Sequence, residues 1–328
     1  MKILIAVAKD ISARNDVQDA LRCRTSLEDV FLKKGLSVET LYLEEDNFEK
    51  VEMIKEKILG HSPVCVFNLF EGFGNNSQKE AEFVEILEST NIPYTGNSSH
   101  TLSLCLNKEV LKKILLKNSI LVPKGFFIKD IKELKPDVLD FPLFIKPCFE
   151  DASVGIDRDS LVTEKQNAYE ILEKKLKKFP QGVIVEEFIS GKEYNVGFLG
   201  DYPYELLGIS VIDYAKHKKI LPFLSYNSKW ETYSQEFKIL LPSLEEPIDE
   251  SFKKRIITLA KKVGEVSGCR NYFRVDLRET DGRLFVLDVN PNPDINQDSG
   301  FMKQAYYKGY TYEDIIEKIL KSATIYLH

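Results

Sequence analysis

Apolar residues fall first in a short unbroken run, residues 3–8, and then at roughly helical spacing at Val17, Leu21, Leu27, Val30 and Phe31. That is the pattern of a buried strand followed by an amphipathic helix. Gly35 stops the helix, residues 36–43 alternate as a second strand, residues 48–59 return to helical period, and residues 63–69 read as a third strand. Strand and helix in regular alternation predict a parallel sheet with crossover helices, an α/β domain over residues 1–104.

Beyond it, residues 107–117 form a lysine-rich amphipathic helix capped by Asn107, and Pro123 precedes a strand at 125–128. Strands at 141–148, 182–188, 194–199 and 206–212, with one helix at 166–178, predict an α+β region with antiparallel pairing. A helix at 252–268, a hairpin at 272–290 and a helix at 312–321 complete the chain. We divide this part into a central unit, 105–185, and a C-terminal unit, 186–328.

A length of 328 residues suits two or three packed units, and 43% hydrophobic content supplies their cores, excluding a disordered or collagenous chain. The 45 Lys and Arg against 51 Asp and Glu leave a net charge of −6, so no nucleic-acid or membrane partner is expected. The first apolar run is closed by Lys9 and Asp10, too short for a signal-peptide core or a membrane span, and the expected compartment is the cytosol. Five cysteines without a C-x-x-C pair read as reduced packing residues, and four scattered histidines share no zinc-ligand spacing. Ala6-Val-Ala-Lys-Asp10 lacks the glycines of a dinucleotide fingerprint.

The informative signal is charge inside apolar strands. Lys146 interrupts such a run, and an ammonium there needs an anionic or polar partner unless an edge strand turns it to solvent. Glu186 and Glu187 end another run, and Glu193 follows the turn after it. Carboxylates, backbone donors and a flat apolar wall suit a purine nucleoside, whereas the plainer reading is a solvated acidic turn. In the hairpin, a three-residue loop at 280–282 sets Glu279 opposite Arg283 and Arg274 opposite Asp288. Arg274, Asp276, Asp288 and Asn290 then share one face, an oxygen-rich set suited to Mg²⁺. A two-residue turn at Asp281 and Gly282 shifts the register by one and sends Asp276 and Asp288 to opposite faces, so the metal reading depends on that parity. Residues 149–156, with Ser and Gly near a turn, offer backbone N–H groups to phosphate oxygens.

Taken together these segments resemble the ATP-grasp superfamily, and within it the D-alanine–D-alanine ligase-like carboxylate–amine ligases. The match runs in the family's order from about residue 64 to 320, through Ile92-Pro-Tyr-Thr-Gly96, Asn107-Lys108, Phe144-Ile-Lys-Pro147, Ala152-Ser-Val-Gly155, Val185-Glu-Glu-Phe188, Arg274-Val-Asp276 and Asp288-Val-Asn-Pro-Asn-Pro293. The first sixty residues match only in being α/β. The resemblance implies an ATP-grasp fold behind a Rossmann-like N-terminal domain, the central unit acting as a lid, with ATP and two Mg²⁺ as cofactors. It implies that Lys108 and Lys146 contact phosphates, that Glu186, Phe188 and Ile189 border the adenine, and that Glu193 holds the ribose. Ser153 and Gly155 would lie in the phosphate-covering loop, Asp276, Asp288 and Asn290 would bind magnesium, and Arg274 would stabilise an oxyanion. Lys229, in Ser225-Tyr-Asn-Ser-Lys-Trp230, matches a lysine on a closing loop, and Ser299 falls where the acceptor's carboxylate binds. The implied partners are small-molecule carboxylate and amine substrates, amino acids or amines, and a homodimer is compatible with the resemblance.

Departures bear on the substrate. The family's Gly-Gly-x-Ser after the first strand is Ala8-Lys-Asp-Ile-Ser12, its His-Gly is Glu71-Gly72, its paired loop serines are Ala152-Ser153, and its closing-loop tyrosine is Trp230. Its Asn-x-Ser-Pro-Gly is Asn290-Pro-Asn-Pro-Asp294. Extra acids at Glu71 and Asp294 favour a cationic or amine-rich acceptor. The expectation is a ligase with unidentified substrates. Its alternatives are a true D-alanine–D-alanine ligase with a diverged donor pocket and an ATP-binding module without turnover, against which the retained Arg274 speaks.

Overall fold

The computed structural model describes residues 1–9, 15–73, 76–135, 138–216, 220–226, 228, 242–244 and 246–324, the side chains of 15–19 excepted. The opening apolar run is β1 (Lys2–Ala8), central in a parallel sheet between β2 (Ser37–Leu43) and β3 (Cys65–Asn68). Alternate β1 residues enter two cores, as the period-2 geometry of a strand covered on both faces demands. Ile3 and Ile5 pack with Leu27, Val30 and Phe31 of α1 (Asn15–Lys33). Leu4 and Ala6 pack with α2 (Val51–His61) and α3 (Gln78–Thr90) through Ile54, Ile58, Val84 and Leu87.

A second sheet, order β4-β7-β5-β6, joins Gly125–Ile128, Val183–Glu187, Leu143–Pro147 and Leu161–Val162 in antiparallel pairs. α4 (Ser99–Leu106) and α5 (Lys108–Lys117) precede it, and α6 (Ala168–Lys178) covers it. The third sheet, order β11-β10-β8-β9, comprises Arg283–Asn290, Tyr272–Thr280, Glu193–Leu199 and Glu205–Ile212, all antiparallel. α7 (Glu250–Ser267), started by Asp249 and ended at left-handed Gly268, covers one face of it. α8 (Gly300–Tyr307) lies on the other, its Gln304 filling the notch left by the paired glycines Gly197 and Gly208.

The expected divisions shift at three points. Leu104, Leu111, Leu115, Ile120 and Val122 pack in the third sheet's core rather than with the second sheet. Residue 186 falls inside β7, which pairs with both β4 and β5. The closing helix, α9 (Tyr312–Thr324), completes the N-terminal core through Ile315, Ile316 and Ile319.

The hairpin corrects the expected register and still delivers the expected face. Thr280 pairs with Arg283, so the turn is the two-residue Asp281–Gly282, both at positive φ (50° and 71°), and not a three-residue loop. Alone, that slip would separate Asp276 from Asp288. A β-bulge between Asp276 and Leu277 absorbs one residue, Leu287, so that Leu277 faces Val286 while Asp276 faces Asp288. Arg274 stands opposite Asn290, not Asp288.

Candidate active site

Lys146, placed on β5 by an otherwise apolar strand, is only 6% exposed and finds the partners its burial requires. Its Nζ lies 2.9 Å from Glu186 Oε1 and donates at 3.2 Å to the carbonyl of Leu287, the residue the bulge displaces. Lys112 of α5 holds the other Glu186 oxygen at 2.5 Å. Burial pushes the Glu186 carboxyl up, but the two ammonium groups outweigh it and hold the group below the ordinary carboxylate range. Burial pushes the Lys112 amine down despite Glu186, whereas Glu186 and Asp288 outweigh burial at Lys146 and raise it. Glu186, expected beside the adenine, thus has its carboxylate committed to two lysines.

Lys108, at the start of α5, is also buried; its Nζ donates to the Glu150 carbonyl at 2.5 Å and sits 3.8 Å from Asp288 Oδ2. Asp276 is gripped by Arg274, Nε to Oδ1 at 2.7 Å and Nη2 to Oδ2 at 2.9 Å, the paired geometry a guanidinium makes with a carboxylate. Asn290 Nδ2 and Asn195 Nδ2 donate to the same carboxylate at 2.9 and 3.0 Å. Lys108 thus sits against Asp288 and Lys146 against the Leu287 carbonyl, beside the hairpin face that carries Asp276, Asp288 and Asn290. Among the described residues no group of three or more His, Cys, Asp or Glu side chains is arranged to hold a metal. Asp276, Asp288 and Asn290 instead offer a sparse oxygen set of the kind Mg²⁺ accepts when water and phosphates complete its octahedron, with the Asp276 oxygens taken up here by Arg274, Asn195 and Asn290.

A cavity between the second and third sheets is lined by these groups and by Phe144, Phe188, Ile189, Glu193 and Phe223. Phe144, Phe188 and Phe223 contact one another with ring centres 5.0–6.4 Å apart, an apolar wall of aromatic edges and faces. Glu193 Oε2 accepts from Arg278 Nη2 at 2.6 Å and from Tyr214 Oη at 2.9 Å. The loop over the cavity carries positive φ at Ala152 (47°), Ser153 (64°) and Gly155 (74°). Ser153 Oγ donates to the Leu224 carbonyl at 3.2 Å, and a Cβ on Gly155 would lie 2.4 Å from the Phe179 ring. Lys175 of α6 donates to the Gly155 carbonyl and to Asp157, both at 2.7 Å, and to Ser160 Oγ at 3.0 Å.

The cleft continues toward the N-terminal sheet, where Glu71, Asp294, Ser299 and Arg274 share its lining with Glu80, Asp151 and Asn292. Ser299 caps α8, its Oγ accepting from the Met302 N–H at 3.1 Å, and Asp294 Oδ1 accepts from the Asn296 N–H at 2.8 Å. Burial, with the Asp151 charge beside it, pushes the Glu80 carboxyl up to about 8 despite a 2.7 Å hydrogen bond from Asn292. Lys229 and Trp230 lie outside the described residues, as does most of the stretch after the first strand.

Sequence reasoning missed Lys112, Lys175, Arg278 and Glu80. A signal existed for the first three. Lys112 follows Lys108 at i+4, Lys175 shares the buried face of Ala168 and Leu172, and Arg278 continues the i, i+2 row of Arg274 and Asp276.

The fold and site define an ATP-grasp protein. The family model for the D-ala D-ala ligase C-terminus matches residues 122–321. The D-alanine–D-alanine ligase of Pelagibacter ubique is 29% identical over 281 residues, covering 83% of this chain and 84% of its own. An uncharacterized protein of Sinorhizobium fredii is 30% identical over 275 residues, covering 81% and 76%. The crystal structure of the D-alanine–D-alanine ligase from Bacillus anthracis complexed with ATP superposes with a TM-score of 0.77 at 21% identity, covering 99% of this chain and 98% of that one. The chain belongs to the D-alanine–D-alanine ligase-like family of ATP-dependent carbon–nitrogen ligases. No described helix is long and apolar enough to cross a membrane.

Proposed function

We propose that this protein is an ATP- and magnesium-dependent ligase that joins a carboxylate to an amine through an acyl phosphate. The observation that carries the reading is the single cavity lined by Lys108, Lys146, Asp276, Asp288 and Asn290, with Lys108 standing 3.8 Å from Asp288. In the first step a carboxylate oxygen attacks the γ-phosphorus and ADP leaves. The amine then attacks the acyl carbon, a tetrahedral oxyanion forms, phosphate leaves and the nitrogen loses a proton. Lys108 and Lys146 bind the phosphates, the loop with Ser153 and Gly155 covers them, and Arg274 faces the oxyanion. Phe188, Ile189 and the backbone beside Glu186 border the adenine, and Glu193 accepts from the ribose. Asp276, Asp288 and Asn290 hold Mg²⁺, which when bound neutralises charge on the transferring group.

Glu71 and Asp294 face the acceptor end of the cleft, with Ser299 and the α8 terminus for its carboxylate, and support an amine-rich or cationic acceptor. The D-alanine–D-alanine ligases among the relatives support a second reading, in which D-alanine fills both positions. A coupled ADP-release screen over pairs of D- and L-amino acids and polyamines, with Asp288→Ala as the blank, tests both. Release above the blank with an amine-rich acceptor supports the first, and release with D-alanine alone supports the second. ATP binding without ADP release from any pair contradicts ligase turnover.

A further inference from the structure

We infer that Arg278 is the positioning residue of the adenosine half of the site, an inference that rests on the ATP-binding reading above. Arg278 is 2% exposed and stands directly opposite Glu193 in the pairing of β10 with β8. Its Nη2 donates to Glu193 Oε2 at 2.6 Å, while its Nη1 donates to the carbonyls of Ile189 at 3.1 Å and Pro222 at 2.9 Å. Its guanidinium carbon lies 5.4 Å from the ring centre of Phe188 and 4.8 Å from that of Tyr214. One buried side chain thus touches Phe188, Ile189 and Glu193, three of the four residues assigned to the adenosine.

The consequence follows from donor and acceptor capacity. A guanidinium presents five N–H donors in a rigid planar fork and so fixes the directions of its acceptors, whereas the three donors of an ammonium rotate. With Glu193 Oε2 occupied by Arg278 and Tyr214, Oε1 receives one longer contact, 3.3 Å from Asn195 Nδ2. Oε1 is therefore the oxygen with capacity for a ribose hydroxyl. Phe188 and Ile189 lie on the connection from β7 of the second sheet to β8 of the third. Holding the Ile189 carbonyl and the Pro222 segment on one guanidinium fixes the width of the base slot across that connection.

The test is calorimetric binding of Mg-ATP and of its 2′-deoxy and 3′-deoxy analogues to the full chain and to Arg278→Met, Arg278→Lys and Glu193→Gln. The wild type is expected to prefer ATP over at least one analogue by about tenfold, the scale of a hydrogen bond to a charged group. In Arg278→Met that preference falls to within about twofold, as in Glu193→Gln, and ATP affinity drops about tenfold. Arg278→Lys keeps the charge without the fork and loses at least half of the preference on a logarithmic scale. A full preference retained in folded Arg278→Met, or in Arg278→Lys should the methionine variant not fold, overturns the inference while leaving the ATP reading intact. A wild type that binds no Mg-ATP overturns both.

Discussion

The two walls of the proposed phosphate site are built on opposite plans. On the β10–β11 wall the functional side chains project from extended backbone interrupted by one bulge at Leu287, and Asp276 is held along its strand by Arg274 and across it by Asn290. On the loop wall the backbone itself is contorted, with positive φ at Ala152, Ser153 and Gly155. Its anchors come from elsewhere in the chain: Lys175 of α6, Phe179 just after that helix, and the Leu224 carbonyl. Strand geometry positions charges with little backbone cost, whereas a non-glycine residue held at such φ costs about 1–3 kcal/mol and persists only where its surroundings enforce it. Changes on the sheet side should therefore alter chemistry with little loss of stability, and changes on the loop side should alter both.

The largest effect is expected at Lys146, the β5 ammonium that spans to the hairpin. Lys146→Met should lower kcat/KM for ATP by about 10²–10³, the scale for a charge that meets a transferring group. Lys112 can still hold Glu186, so the fold should tolerate the change. Thermal melting should shift by only a few degrees; a melting loss with activity retained breaks the contrast. Gly155→Ala comes next. Its added Cβ meets the Phe179 ring and a φ of 74°, so stability should fall by about 2 kcal/mol and ATP affinity about tenfold. Phe179→Leu in the same chain should restore part of the stability, by relieving the ring clash but neither the 2.6 Å approach to Pro147 nor the φ.

Lys175→Met sharpens the contrast more finely. KM for ATP should rise about tenfold with kcat within about threefold, the cost of losing a charge-assisted hold on the loop, and Arg at this position should recover part of it. Equal losses in kcat and kcat/KM, with KM unchanged, would place Lys175 in the chemistry instead. The smallest effect belongs to Glu205 on β9, remote from the site. Burial raises its carboxyl, but donors from Lys308, Tyr310 and Lys318 outweigh this and lower it from 4.5 to about 2. A depressed carboxyl adds stability above pH 4.5 that disappears as pH falls through about 2. The side chain is 34% exposed, so solvent screening limits the gain to about 1 kcal/mol. Glu205→Gln should lose that amount at pH 7 without a change in activity, and its stability should depend less on pH between 4.5 and 2.

The same contrast explains what was legible in the sequence. Lys146, Asp276, Asp288 and Asn290 stood out because charged or amide side chains interrupt apolar strands, a local pattern of period two. The bulge did not, since nothing in Val286-Leu287-Asp288 marks Leu287 as the residue to be displaced; register is settled by pairing with a second strand. The loop was readable as a candidate phosphate cradle, but its anchor was not. Lys175 lies some twenty residues further on, in a helix where the neighbouring lysines 174, 177 and 178 face solvent. The α/β start and the antiparallel remainder followed from periodicity, whereas the docking of α9 on α1 and β1 is long-range packing that no local window contains.

The central claim is that Lys108, Lys146 and the hairpin oxygens converge on one triphosphate. The most direct test is calorimetry of a non-hydrolysable ATP analogue with and without magnesium, on the wild type and on Asp288→Ala. The account predicts magnesium-linked heat in the wild type, abolished by a chelator and by the substitution. Binding that is equally strong with the chelator present, or in Asp288→Ala, would contradict it.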